Sequence, residues 1–328
     1  MGPLQKPRLV VDTPAVKAYL SHFAIGAALI TLAATCGSGG GSSPGSSPTV
    51  GGCRVFPTDN AWNTDVSKKP VSSRSAAYVA EINGSGARAL HPDFGSNPAY
   101  GIPYLVVRQY TGRQVIHYTA YGDESDPGPF PIPSTARIEG GAASDGDRHV
   151  LVVEQGSCHL FELGRAFWRG DHWDADVGVN WDLRSNALRP LHFTSADAAG
   201  LPIIPGLVRY DEVAAGSINH ALRFTVARTQ RAFVLPATHY ASSSTDATRP
   251  PMGLRFRLKA GYDLTHFHGA SLVILRALKK YGMIVADNGS NWFISGATDS
   301  RWNDDDLNQV KSVPGSAFEV VDTGPVRR

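Results

Sequence analysis

The residues best able to do chemistry surround one apolar run, Asp145-Gly146-Asp147-Arg148-His149-Val150-Leu151-Val152-Val153-Glu154. Asp147 and His149 lie two apart, so on an extended chain they share a face and the carboxylate can orient the imidazole for general acid–base work. Glu154 falls on the opposite face of a regular strand. The plainer alternative is a turn acid, a backbone-bonded histidine and a strand-end carboxylate. A second group is Arg209-Tyr210-Asp211-Glu212, followed by His220. Adjacent carboxylates point apart, so Asp211 and Glu212 suit a helix N-terminus better than a catalytic pair. The candidate catalytic set is therefore Asp147, His149, Glu154, Glu212 and His220. Glycoside hydrolysis needs two carboxyl groups roughly 5 to 9.5 Å apart, and no spacing in the chain, Glu124 included, fixes such a pair.

Substrate contacts follow from strand alternation. His220, Leu222, Phe224 and Val226 form one face, with Asn219, Ala221, Arg223 and Thr225 on the other. Arg255, Arg257 and Lys259 likewise share one side of their strand, opposite Leu254, Phe256 and Leu258. If both polar faces belong to one sheet they line a basic groove for an anionic ligand such as a uronate-containing polysaccharide, with Arg209, Arg223 and Arg257 as clamps. The alternative is a pair of solvated outer faces. Trp168, Trp173 and Trp181 cluster with acids and arginine, and Trp292 and Trp302 flank Asp299. Such rings stack on sugars or cover core edges; Trp173 and Trp292 are the ligand-stacking candidates.

His149, His220 and His239 invite comparison with a metal centre, but no pair has the spacing of a compact site, and His266 and His268 lie near a helix start. No metal set is assigned and no cofactor is implied. Ser242-Ser243-Ser244 sits in a polar loop, and no Gly-x-Ser-x-Gly elbow occurs.

The elements that must position these groups are short. Strands are expected at 104–107, 115–118, 149–154, 159–163, 221–226, 232–235, 254–260, 283–286 and 292–295, rich in β-branched and aromatic residues and bounded by turn formers. With 22 prolines and 34 glycines, these predict a mainly β fold, a β-sandwich or jelly roll. One packed helix is expected near the C-terminus, from Ala270 to Tyr281, with Leu272, Leu275 and Leu278 at helical spacing and Gly282 as left-handed cap. Short helical turns are expected at 195–199 and 211–215.

Composition, 42% hydrophobic and 18% charged, is that of a globular chain, and a net charge of +2 without a basic aromatic-interleaved run argues against nucleic acid. Lys6, Arg8, Lys17 and His22 precede the uncharged stretch from Phe23 to Thr35, too short to span a membrane and suited to an export signal. Ala33-Ala34-Thr35-Cys36 reads as a loose lipobox with Cys36 lipidated; cleavage nearby without lipid is the alternative. Residues 1–36 are thus an export signal and 37–52 a Gly/Ser/Pro tether. A single domain follows from 53 to 323, with a tail at 324–328. Outside the cytoplasm, Cys53 and Cys158 most simply form one disulfide.

Several segments together resemble a family of secreted bacterial proteins of uncharacterised function: residues 55–63, Tyr121 to Pro129, Asp147 to Val153, Ile218 to Phe224 and Lys280 to Gly289. That resemblance implies export and one domain, and carries over no catalytic residue. Arg257-Leu258-Lys259-Ala260-Gly261-Tyr262-Asp263 resembles the Lys-Ala-Gly-x-Tyr strand of jelly-roll alginate lyases, with Tyr262 one place early and the lyases' other motifs absent.

These readings lead to a glycoside hydrolase or polysaccharide lyase acting on extracellular or cell-envelope glycan, tied to the membrane only through its lipid. The rivals are a non-catalytic carbohydrate-binding or envelope-interaction lipoprotein and a metal-dependent secreted hydrolase.

Overall fold

Apolar strand residues decide the layering. In Val150–Glu154 every residue is buried, the pattern of a strand covered on both faces rather than one alternating between core and water. A computed structural model describes residues 47–328. The expected signal, Cys36 and most of the tether lie outside the described residues.

In chain order the strands are β1 (Thr49–Val50), β2 (Cys53–Arg54), β3 (His91–Pro92), β4 (Tyr104–Val107), β5 (Val115–Tyr118), β6 (Val150–Glu154), β7 (His159–Gly164), β8 (Phe167–Trp168), β9 (His172–Ala175), β10 (Val177–Asp182), β11 (Leu222–Val226), β12 (Arg255–Leu258), β13 (Met283–Asn288), β14 (Phe293–Ile294) and β15 (Phe318–Val320). The α-helices are α1 (Ser75–Gly84), α2 (Tyr210–Ala214), α3 (Gly269–Lys280) and α4 (Asp304–Asn308). The protein is mainly β, with 24% strand against 16% helix among the described residues.

A six-stranded sheet runs β15-β12-β13-β11-β14-β3, a four-stranded sheet β10-β7-β6-β4, and a three-stranded sheet β5-β9-β8. Leu151 and Val153 of β6 and Leu160 of β7 join Leu222, Phe224 and Phe256 of the large sheet in the main core. Val150, Val152, Phe161 and Leu163, from the opposite face of the same strands, join Ile116, Trp173 and Ala175 in a second core. The four-stranded sheet is thus the middle layer of a sandwich-like stack. Its sequence lacks alternation because both faces are apolar-packed.

Several pairs are parallel, β11 with β13 and β4 with β6 among them. The chain crosses from β11 to β13 through β12 and α3, whose Ile274, Leu275 and Leu278 are fully buried. Gly282 ends α3 at φ +67°, where a Cβ would lie 2.1 Å from the Phe256 carbonyl oxygen, so both backbone sign and space demand glycine. A bulge between Phe224 and Thr225 shifts the β11–β13 register, pairing Thr225 with Asp287.

Three boundaries differ from expectation. Residues 232–235 form only isolated bridges of Phe233 to Met252 and Arg327; the second bridge also holds the expected tail. The tether ends earlier than Gly52, because Thr49–Val50 pairs with Cys53–Arg54. Ser195 to Ala199 is a turn held by Ser195 Oγ rather than a helix. Cys53 and Cys158 are bonded with a Cα separation of 5.4 Å, tying that first hairpin to the β6–β7 turn.

Candidate active site

Where β11 and β13 end side by side, their polar C-terminal residues Arg223, Thr225, Asp287 and Asn288 form one wall of a cleft of about 360 Å³. Ligand sites favour the carboxyl ends of parallel strands. The loop before β6 supplies the other wall through Glu139, Asp147 and His149, and the segment after β3 supplies Asp93 and Tyr100.

Arg148 shapes that loop. It adopts a left-handed backbone at φ 49°. Its guanidinium lies over the Phe167 ring and donates to the carbonyls of Ala166, Ala142 and Ser144. Asp147 and His149 therefore flank a left-handed residue rather than alternating along a regular strand. Asp147 stays solvent-facing while His149 is buried.

The carboxylate that engages His149 is Glu139, 2.5 Å from Nδ1, not Asp147. Nε2 lies 2.8 Å from the Ala196 carbonyl oxygen, so both ring nitrogens donate in the imidazolium form. Burial opposes that charge, but Glu139, seconded by Asp147, overrides it and lifts the imidazole to about 9. Glu139 is in turn held below the ordinary carboxyl value: burial would raise it, and His149 outweighs burial. With both nitrogens occupied, His149 is a fixed cation and not the acid–base imidazole expected.

Arg223 is also spoken for. It donates twice to the buried Asp197, at 3.0 and 2.8 Å, and once to Ser295 Oγ. Asp287 has no such partner: among the described residues the only hydrogen bond to its carboxylate is from the Asn288 N–H at 2.7 Å. Burial, then the charges of Asp197 and Asp147, push its carboxyl up to about 7 against the pull of Arg223. Asp93 faces solvent at the mouth, and its carboxyl is lifted first by lost hydration within the wall and also by Glu139. The cleft thus holds Glu139 ionised beside Asp287, which changes protonation near neutrality. Tyr100, 58% exposed, and Phe293, stacked on His91 at 4.1 Å, give it an aromatic rim.

Of the sequence candidates, then, Asp147, His149 and Arg223 meet. Glu212 and His220 lie elsewhere, with Arg209: Arg209 Nη2 donates to Glu212 Oε1 at 2.7 Å, and His220 Nε2 is 3.1 Å from Glu212 Oε2. His220 and Arg209 are almost wholly buried, so this cluster braces α2 against the lead into β11. Glu154 accepts from Arg113 and Ser157 at the edge of the second core.

The basic groove is corrected. Arg223, Ile284 and Arg255 do lie in one cross-strand row of one sheet, but residues 61–69 cover its Arg255 end, and Asp197 and Ser295 hold Arg223. Arg257 is spent on Glu319 and the carbonyls of Val66, Ser67 and Lys69. Arg255 is spent on the carbonyls of Ala61, Thr64 and Tyr281. Arg209, Arg223 and Arg257 are thus internal braces, and none has a free face for an anionic ligand.

The tryptophan platform is corrected too. Trp173 and Trp292 have no exposed surface, donating their indole N–H groups to Ile132 O and Asn83 Oδ1. His149, His220 and His239 each face a different backbone carbonyl, of Ala196, Ala221 and Ala198. The lyase-like segment leaves its strand at Leu258 and turns at residues 260–261.

A second cavity of about 330 Å³, between Trp62, Trp181, Leu188 and Pro236, has Asp59 and Arg189 as its only titratable lining. Sequence reasoning missed Glu139, Asp93 and Asp287, which sit in turns or beyond a bulge. The visible signal was the Asp287-Asn288-Gly289 run closing an apolar strand. The class defined by this fold and site is a layered, mainly β protein with a carboxylate-lined cleft. Set against protein-family models, curated proteins and solved structures, the chain matches none.

Proposed function

We propose that the protein is a glycoside hydrolase of the cell exterior, with Asp287 as proton donor and Asp147 as the second carboxylate. The reading is carried by a carboxyl tuned to about 7 in an open cleft shared with Asp147 and with Glu139, which His149 holds ionised. Two carboxyl groups whose environments separate their protonation states are what glycosidic cleavage requires. Asp287 would protonate the leaving oxygen. Asp147, solvent-facing and close enough to raise Asp287, would stabilise the developing cation or activate water.

Hydrolysis is favoured over elimination because a lyase needs a free cation to neutralise a uronate, and Arg223 is already bound by Asp197. The acidic lining favours a neutral or amino-sugar glycan, seated against Tyr100 and Phe293. The disulfide supports an oxidising compartment, and Cys36 would be the anchor. No helix among the described residues is long and apolar enough to cross a membrane.

The test is release of reducing ends from a panel of neutral and amino-sugar polysaccharides. Loss of a proton donor or its partner typically costs about 10²–10⁴ in rate, expected here for both Asp287→Asn and Asp147→Asn. Glycan binding without turnover, unchanged in both variants, would establish the carbohydrate-binding alternative.

A further inference from the structure

On the three-stranded sheet, away from the cleft, β5 and β9 run parallel with His117 directly opposite Asp174. His172, two residues before Asp174 on β9, points to the same side. One ligand atom from each of the three lies within 4.8 Å of the others. His172 Nε2 is 3.3 Å and His117 Nδ1 3.9 Å from Asp174 Oδ1, with the two imidazoles 4.1 Å apart. We propose that His117, His172 and Asp174 bind a divalent transition metal, Zn²⁺ by preference, with a fourth position open to water.

The spacing suits a tetrahedral ion. Ligand bonds of about 2.0–2.1 Å place neighbouring ligand atoms about 3.3 Å apart, so the shorter separation needs no change and the longer closes by a slight turn of the His117 ring. His117 can turn, its side chain being 59% exposed. That same exposure leaves the fourth position facing solvent.

The surrounding groups prepare the ligands. Asp171 Oδ1 lies 2.6 Å from His172 Nδ1, fixing the proton there and leaving the Nε2 lone pair directed at the site. Arg169 Nε donates to Asp174 Oδ2 at 2.7 Å, which orients the carboxylate and leaves Oδ1 for the metal. Beneath them the sheet is rigid: Trp173 and Ala175, on the other face of β9, are wholly buried in the second core. Rigid elements carrying ligands supported from behind are what a specific ion site needs. Two imidazoles and one carboxylate suit zinc and copper rather than magnesium or calcium.

The test is a calorimetric titration of the full, chelator-treated chain with Zn²⁺, paired with the visible spectrum of the Co²⁺ form. One equivalent should bind, with a tetrahedral cobalt spectrum. His172→Ala and Asp174→Asn should abolish both signals. Asp171→Asn should weaken binding about tenfold or more by loosening the histidine it orients. The control is His266→Ala with His268→Ala, an exposed pair outside the site, which should keep the equivalent. These positions are half-buried or exposed, and circular dichroism checks folding. The proposal is overturned if wild type binds no equivalent, if binding persists unchanged in His172→Ala and Asp174→Asn, or if the control alone removes it.

Discussion

Replacing Glu139 by Gln removes the carboxylate that holds a proton on the buried His149. In the folded protein this imidazole titrates at about 9 against an ordinary value of 6.5. Between those limits the native state binds the proton and the unfolded chain does not, so stability falls as pH rises through the window and is fully present below 6.5. The shift corresponds to about 3 kcal/mol. In Glu139→Gln, burial meets only the weaker pull of Asp147, the imidazole is no longer held protonated, and most of that stabilisation is absent.

The assay is urea unfolding followed by the fluorescence of the buried tryptophans, run across the window for both proteins. Wild type should exceed the variant by about 3 kcal/mol below 6.5, and the gap should close as pH approaches 9. Asp287 and Glu162 also titrate near 7, but both are present in wild type and variant, so the difference between the two curves, not either curve alone, reports the His149 pair. Glu139's own depressed carboxyl contributes stability that is present throughout this window and is lost only as pH falls below its ordinary value of 4.5, so it adds no slope here. Two curves offset by a constant amount at every pH would refute the ion pair.

Glu162 is buried and lifted to about 7 by lost hydration, against donation from the Ile203 and Ile204 N–H groups and Trp181 Nε1. A raised acid favours folding below its ordinary value of 4.5 and loses that contribution as pH climbs through about 7. Glu162→Gln should therefore flatten the stability curve over that interval, as read by denaturant midpoints; an unchanged slope would contradict it. Replacing Cys53 and Cys158 by Ser frees a loop with a sequence separation of 105. That should cost about 5 kcal/mol, measured as the loss in unfolding free energy of the oxidised protein, and a loss below about 1 kcal/mol would mean that the unfolded chain is already compact.

Elements were legible where local composition and burial agree. The strands 104–107, 115–118 and 159–163 stand out because β-branched and aromatic residues sit between turn formers, and α3 because its leucines repeat at helical spacing. α1 escaped because only Ser75, Tyr78 and Ile82 are buried, too few to imprint a stripe on its polar surroundings. β9 and β10 escaped because Asp174, Asn180 and Asp182 interrupt their apolar residues; the acids pair at strand edges instead of ending the strands. Asp147 and His149 were found together, but their relation was misread, because the left-handed Arg148 breaks the alternation that linked them. Arg223, Arg255 and Arg257 alternate as an exposed polar face does. Local sequence holds no sign that residues 61–69, remote in the chain, lie over Arg255 and Arg257, or that Asp197 claims Arg223.

Partnering separates structural acids from functional ones here. Glu154 is met by Arg113 and Ser157, Glu212 by Arg209 and His220, Asp197 by Arg223, and Glu162 by three N–H groups. Each has a cation or several N–H donors set against its burial, though for Glu162 and Asp197 burial still wins, and each can be understood as a brace. Asp287 breaks that pattern, for it sits among other acids with one backbone donor and no cation of its own. Structure alone gives no reason to retain a carboxyl there, since Asn would keep the volume and shed the repulsion. A group that costs stability at neutral pH and opens onto a cleft is the one selection would keep for chemistry. Asp287→Asn should accordingly stabilise the fold while abolishing glycan cleavage. A variant that is both less stable and fully active would remove the case for this cleft.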